Sequence, residues 1–561
     1  MFLKAFIQKN CDVLCSVAVA ISLYCVYFGD IINPAYLDFH SSFNSDMDFF
    51  DDVIQHYWGG TAYRVSEWAW PPFIMKNICY PTGTSVLNTD SIPLIAIIFK
   101  VLHKVFGLSP LLQYEGLYGL INFVLQAIAS VLIFRKIFAT QWLTAIASCF
   151  FIISPPMIMR LLFHTSLTSH WIILLAILLY INDKFGLREM IGAPLLLSIS
   201  LFIHPYFFAM IMPIILALVI KKRNAEETAK LLTLANCTKV FIILCCCCHM
   251  LGAFNLLGHS YCECVNECST NLNCLFNPLN NSRFLQALNW HSNNPEGMNY
   301  LGVGLIILTL LAISRLNRNI IFKNKHREII LACVLLALFS LGQKIHWGAT
   351  PILNIEPARL LEIMYVFRAT GRFFWPVWYL LVISSMWIVS RRFSPRLTSV
   401  LLPLLLVVQF IDITPLLEGK SASIAKTARH QKNNSMLKSE KWNSLFCKYP
   451  HVFLTNDSAD DKIWRYFWQK IPECNITVNF GYLARDPIDA AENIMSAACS
   501  LLKGEKPTCG NDETIYILSN QLYRLLLNSK NEKTAKMRDK IQELDGIKFL
   551  LHSQINLTPA Q

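Results

Sequence analysis

The sequence predicts an all-α, multi-pass membrane domain of about 11 transmembrane helices, followed by a smaller α/β domain. Three observations point there. First, 54% of the 561 residues are hydrophobic and only 15% are charged, where a soluble domain carries about 25% charged residues. Second, the apolar residues fall in runs near the roughly 20-residue length that a hydrocarbon core about 30 Å thick requires. Third, the composition turns polar after about residue 416.

Taken in order, the apolar run 13–28 is followed by Gly-Asp-Ile-Ile-Asn and by no small-residue cleavage site, so it reads as a retained first span. With Lys4 and Lys9 on the cytoplasmic side, the span at about 12–29 runs outward, and the stretch to Ser91 is external. The run Ile92 to Phe106 is short and interrupted by Lys100, His103 and Lys104, which predicts an amphipathic helix at the outer interface. Further spans are expected at about 112–134, 138–157, 168–182, 190–203, 206–220, 238–257, 300–314, 328–342, 373–390 and 397–412. This arrangement puts nearly every dense Lys/Arg group on the cytoplasmic side, as the orientation rule requires. The 49 basic against 37 acidic residues therefore set topology rather than a nucleic-acid surface, and no nucleic-acid partner is expected.

The expected division is a transmembrane domain at 1–415, containing a first external loop at 29–107 with its interfacial helix, and an extracytoplasmic domain at 416–561. In the latter, short β-branched runs at 452–455, 476–480 and 514–518 alternate with helical stretches near 487–503 and 519–543, a pattern of a small α/β unit. Cys262, Cys264, Cys268 and Cys274 crowd one external loop, and Cys447, Cys474, Cys499 and Cys509 lie in the terminal domain. In an oxidising compartment disulfides are the simpler expectation, and the first cluster has no standard zinc-finger spacing.

The polar residues that flank the spans collect on the external side: Asp46, Asp48, Asp51, Asp52 and His56, then Asp90, Arg160, His164, His204, Glu296, and the pair Arg368 and Arg372. Ionisable groups near lipid are costly and usually serve a task, so a polar cavity at the outer leaflet is the economical expectation. Plainer roles compete for each. Asp52 also suits a helix cap or a solvated loop, Arg368 and Arg372 an anchor at anionic headgroups, and His204-Pro205 a broken helix end. Trp58, Trp68 and Trp70 suit either interfacial anchors or sugar platforms.

The segments Asp52-x-x-Gln55-His56, Trp70-Pro71, Tyr80-Pro81-x-Gly83-Thr84-Ser85, Thr89-Asp90-Ser91-Ile92-Pro93, Glu296-Gly297-x-Asn299-Tyr300-Leu301-Gly302 and Phe367-Arg368-x-x-Gly371-Arg372-Phe373-Phe374-Trp375-Pro376 resemble an uncharacterised family of bacterial multi-pass membrane proteins with a domain of unknown function. That family in turn resembles the GT-C superfamily of integral-membrane glycosyltransferases. The resemblance covers about residues 10–415, and extends more weakly to Phe480-Gly481-Tyr482-Leu483-Ala484-Arg485.

It implies a GT-C-like transmembrane domain in the bacterial inner membrane, with the N-terminus cytoplasmic and the C-terminal domain periplasmic. It further implies a polyprenyl-phosphate sugar donor, a surface glycan acceptor such as lipopolysaccharide O-antigen, and inverting chemistry. By position in the first external loop, Asp52 takes the role of the acid at the acceptor, with Asp51 or Asp48 as alternatives. A leaving lipid phosphate needs fixed cations, and Arg grips phosphate oxygens in two places at once. Arg368 and Arg372, four apart as on one helical face, are the candidates for that grip, with His56, Asp90, Arg160, His164, His204 and Glu296 around sugar or acceptor.

No metal ligand set is assigned. Asp46-Met-Asp48 has the spacing of a two-acid metal motif, but chance supplies three such residues too often, and no cofactor is indicated, a divalent metal being left open. The competing class is a non-catalytic protein that binds or flips lipid-linked glycans, and a glycan polymerase or ligase shares the same donor. Against a transporter, the charged residues sit at helix ends rather than mid-bilayer.

Overall fold

The computed structural model describes residues 7–35, 49–161, 164–182, 187–223, 229–253, 267–292, 295–316, 326–355, 366–429, 437–455, 463–485 and 488–555. The chain forms two compact units. The first comprises Met1–Pro34, Tyr114–Cys245 and Tyr261–Lys426; the second comprises Ala35–Gln113, Cys246–Ser260 and Thr427–Gln561.

The first unit is a helical bundle, the form that lets every backbone group bond within its own segment where water is absent. All eleven segments expected to span are helical. Among the described residues five helical stretches, Cys11–Ile32, Glu115–Phe134, Gln141–Arg160, Thr370–Arg392 and Pro395–Asp412, are long and apolar enough to cross a membrane by length and composition. The expected span at 138–157 is in fact two helices, Gln141–Ile152 and Pro155–Arg160. Pro155 and Pro156 open the second piece, where a missing N–H costs nothing.

Small and polar residues hold the bundle together, as they do where lipid removes most of the hydrophobic drive between helices. An ideal Cβ on Gly116 would lie 1.7 Å from the Ile31 carbonyl oxygen, so the first helix and Glu115–Phe134 approach backbone to backbone. The Tyr24 hydroxyl donates to the Gly116 carbonyl at 2.7 Å. Asn122 accepts from Ser169 at 3.0 Å and from the Trp171 indole at 2.8 Å, while its amide donates to Thr168 at 2.7 Å. Arg135 grips Asp12 with its Nε at 2.7 Å from Oδ2, tying the end of one helix to the start of another.

In the second unit, helix Phe49–Val65 packs against Pro93–Phe106 and Trp464–Cys474. The helix Pro93–Phe106 reverses the usual arrangement for a water-facing surface. Ile98, Val101, Val105 and Phe106 point outward, whereas Lys100 is buried. Its ammonium lies over the rings of Tyr63 at 4.2 Å and Trp68 at 4.7 Å, and donates to Ser66 and to the Glu67 carbonyl. Burial, helped by Lys104, pulls the Lys100 amine down to about 8. Trp58 is core, so of the three loop tryptophans only Trp68 and Trp70 are free to meet a surface.

The C-terminal part of this unit is a five-stranded sheet in the order Thr477–Val478, His451–Leu454, Thr514–Ile517, Ile547–Leu551, Gln542–Leu544. The first three strands are parallel, and the last two form an antiparallel hairpin added at one edge. The three inner strands, His451–Leu454, Thr514–Ile517 and Ile547–Leu551, are mostly buried, as strands covered on both faces are. The segment around Asn77–Tyr80 joins this sheet's edge strand. Asn77 accepts from Val478 N at 2.9 Å, Tyr80 donates to Val478 O at 3.1 Å, and Tyr80 stacks on His451 at 4.2 Å.

The cysteines overturn one expectation. Cys268, Cys274, Cys447, Cys474, Cys499 and Cys509 form no disulfide with one another, so the disulfides expected of them are absent among the described residues; Cys262 and Cys264 lie outside these. Cys268 and Cys274 are buried among well-packed neighbours instead, as free cysteines commonly are.

Replacing Gly116 by Ala is expected to destabilise the bundle by about 1–3 kcal/mol, the usual penalty for an overpacked methyl group. Gly29→Ala, where an added Cβ meets nothing within 4 Å, is the control. Thermal unfolding of the detergent-solubilised protein checks this: a lowered midpoint for Gly116→Ala and an unchanged one for Gly29→Ala.

Candidate functional site

Four of the residues singled out from sequence meet in the first unit around one carboxylate. Glu296 sits in a short 3-10 turn, Pro295–Gly297. Its Oε1 is 2.7 Å from Arg160 Nη1 and 3.5 Å from His164 Nε2, and its Oε2 accepts from Arg372 Nε at 2.7 Å. Arg160 also donates from Nη2 to the Glu296 carbonyl at 3.1 Å. All but His164 are buried.

Close backbone contacts bring the three segments together. An added Cβ on Gly371 would stand 2.7 Å from Gly297 Cα, and one on Gly297 would stand 2.2 Å from the Ser269 carbonyl. Gly371 N donates to Cys268 O at 2.9 Å, and the Asn299 amide reaches Gly297 O at 3.0 Å and Gly371 O at 3.4 Å. The motif glycines are thus the points where chains touch, and the motif asparagine laces them.

Aromatic rings support both guanidiniums from behind. Arg372 lies 4.6 Å from the Tyr206 ring centroid and Arg160 lies 5.7 Å from that of Trp375. Desolvated cation–π contacts of this kind are worth about 2 kcal/mol. Tyr206 is fixed in turn by accepting from Ala369 N at 2.8 Å.

A buried amine that sequence reasoning missed completes the cluster. Lys420, on helix Thr414–Arg429, donates from Nζ to Met159 O at 2.7 Å and Leu161 O at 3.3 Å, the carbonyls on either side of Arg160. Burial and the Arg160 charge push its amine well below the usual lysine range, with Glu296 opposing them. The only signal for it was a lone lysine just beyond the last apolar run, indistinguishable from a topological charge.

Burial alone would raise the Glu296 carboxyl, but Arg160 and Arg372 outweigh it and hold the group well below the usual carboxylate range. Two guanidiniums thus face a single carboxylate, with the Lys420 amine bonded beside Arg160. In a low dielectric such an excess favours an added anion.

The remaining predicted residues are placed differently. Arg368 is half-buried, and Thr370–Phe374 is a 3-10 turn that precedes helix Trp375–Arg392, so Arg368 and Arg372 do not share an α-helical face as their spacing suggested. Arg160, expected near sugar or acceptor, is instead Arg372's partner. His204 ends the helix Leu187–Ile203, where its Nδ1 accepts from Tyr206 N at 3.2 Å, the broken-end role. Asp52, His56 and Asp90 belong to the second unit. Asp52, half-buried on helix Phe49–Val65, accepts from the Tyr482 hydroxyl at 3.2 Å. His56 Nε2 is 4.0 Å from Asp90 Oδ2, with Asp90 in a left-handed turn. Asp46 and Asp48 lie outside the described residues, as does the side chain of Asp51.

Long apolar helices carrying a buried, charge-bearing cluster at their ends define a multi-pass membrane protein. The chain belongs to the family described as a domain of unknown function, DUF6311, whose model matches residues 15–414. A comparison with curated proteins gives no match. Among solved structures the chain is similar to the oligosaccharyltransferase AglB of Archaeoglobus fulgidus, seen in complex with an inhibitory peptide and a dolichol-phosphate, at 10% identity and a TM-score of 0.40, with 95% of this chain and 72% of that chain covered. It is also similar to an Archaeoglobus fulgidus oligosaccharyltransferase in complex with Zn and sulfate, at 12% identity and a TM-score of 0.40, with 93% and 71% covered.

Glu296→Gln is expected to cost about 3–5 kcal/mol, because it leaves two buried guanidiniums without their counter-charge. The pH dependence follows from the same pairing. Since the folded carboxyl lies below its ordinary value of 4.5, its stabilisation is complete above that value and is lost as pH falls toward the folded one. Thermal unfolding across acidic pH checks both: a falling midpoint for the native chain below about pH 4.5, and a lower, flatter profile for Glu296→Gln.

Proposed function

We propose that the chain is an integral-membrane glycosyltransferase that moves a sugar from a polyprenyl-phosphate carrier to a surface glycan, such as lipopolysaccharide O-antigen, at the outer face of the bacterial inner membrane. The observation that carries this reading is the Arg160–Glu296–Arg372 cluster with Lys420 beside it. Its excess of positive charge suits a phosphate.

In the proposed reaction the acceptor hydroxyl attacks the anomeric carbon as the bond to the carrier phosphate breaks, with inversion. The negative charge that develops on the departing phosphate is stabilised by Arg160 and Arg372, with Arg368 at the margin. Such fixed donors act without reorganising during the reaction. Asp52 takes the acceptor proton as the new C–O bond forms, a contribution of about 10²–10⁴ in rate. The Tyr482 hydroxyl, bonded to Asp52 Oδ1, orients the carboxylate. His56, Asp90 and His164 line the sugar side. The N-terminus is cytoplasmic, and the α/β part stands in the periplasm.

Transfer from a radiolabelled undecaprenyl-phosphate hexose, measured with purified protein in lipid, tests the proposal. Asp52→Asn is expected to lower turnover about 10²-fold or more while donor binding persists, and Arg372→Ala to weaken donor binding itself. Undiminished turnover by a correctly inserted Asp52→Asn protein removes Asp52 from the mechanism. Donor binding by the native chain with no transfer to any surface glycan replaces the enzyme by a carrier of lipid-linked glycans.

A further inference from the structure

The C-terminal sheet has a feature that the chemistry above does not use. From His451–Leu454 the chain crosses through helix Trp464–Cys474 to Thr477–Val478 on one side, then returns through helix Ile488–Leu502 to Thr514–Ile517 on the other. The first connection leads from His451–Leu454 to one side, and the second leads from Thr477–Val478 back past it to the other, so the strand order reverses beside His451–Leu454. In open parallel sheets, the crevice at the carboxyl ends of strands where the order reverses is where ligands bind.

A cleft of about 140 Å³ lies at that point. Leu454 and Thr455 at the end of one parallel strand line it, with Ile517, Leu518, Ser519 and Asn520 at the end of the other. The turn residue Gly546 and the start of strand Ile547–Leu551 close the third side. The mouth is clamped in place. Thr455 Oγ1 donates to Ile517 O at 2.8 Å and accepts from Ser519 N at 3.1 Å, and Ser519 Oγ caps the following helix by accepting from Leu522 N at 3.1 Å.

The lining selects the kind of ligand. Leu454, Ile463, Ile517 and Ile547 give aliphatic walls, and Thr455, Ser519 and Asn520 give neutral hydroxyl and amide groups. Among the described residues the one charged lining residue, Lys548, directs its ammonium elsewhere, lying 4.8 Å from the Tyr523 ring centroid and 4.0 Å from Glu543. A ligand with apolar C–H faces, many hydroxyls and no charge matches this surface.

We infer that the cleft is a carbohydrate pocket that holds an uncharged sugar ring of the acceptor glycan, an assignment that rests on the glycosyltransferase reading for the ligand's source. The probes are methyl glycosides of glucose, galactose, mannose and N-acetylglucosamine, followed by saturation-transfer NMR on the full-length protein in lipid nanodiscs. At least one is expected to bind. Asn520→Trp, at an exposed position on the rim, is expected to weaken that binding at least about tenfold, equivalent to about 1.4 kcal/mol. Asn520→Ala, which opens rather than blocks the cleft, is expected to weaken it less.

No binding by the native chain, or equal binding by the folded Asn520→Trp protein, overturns the inference. Sugar transfer is followed separately. A chain that binds the glycoside through this cleft yet transfers nothing refutes the transferase and leaves the pocket; one that transfers but ignores Asn520→Trp refutes the pocket alone.

Discussion

The bridge from Glu296 to Arg160 and Arg372 is the constraint on which the membrane unit's functional end depends. Each of the three groups is too costly to bury alone. The ends of helices Pro155–Arg160 and Trp375–Arg392 and the turn before Val303–Ser314 must therefore arrive together, within fractions of an ångström. Glycines at 297 and 371 allow the approach, Asn299 ties the two turns, and Tyr206 and Trp375 close the apolar side. Removing the Glu296 carboxylate therefore disturbs three segments at once.

Much of this was legible from the chain, and the reasons differ by residue. The helices were visible because an apolar run of span length has few alternatives in lipid. Glu296, Arg160 and Arg372 were visible as ionisable residues beside such runs. Their partnership was not, because spacing in sequence says nothing of which helix ends adjoin. The four-residue interval between Arg368 and Arg372 was misleading for a local reason: the chain there forms a 3-10 turn, and a four-residue offset aligns side chains only in an α-helix. Lys420 was hidden by its ordinary setting beyond the last apolar run. The cysteines followed composition rather than packing, since a thiol buried in a tight core need not pair.

Lys100 shows how burial can invert a pattern. A lysine within an apolar run ordinarily marks the face turned to water. Here it is folded inward against Tyr63 and Trp68, and the apolar residues of the same helix are left outside. The charge is held by two ring faces and two oxygen acceptors rather than by solvent, and the outward apolar face is what a helix resting on lipid would show.

The second unit is discontinuous in sequence: its first segment lies near the start of the chain and its sheet near the end. During synthesis the helix Phe49–Val65 has only Pro93–Phe106 to pack on, because Trp464–Cys474 and the strand carrying Val478 are made only after the whole intervening bundle. At about 5–20 residues per second, that wait is on the order of tens of seconds. Until it ends, apolar surface that will later be covered is open to misassembly, so the unit's assembly is a late, non-local event with a high loop-closure cost. Loss of the final segment through premature termination or proteolysis would therefore undo a loop translated hundreds of codons earlier.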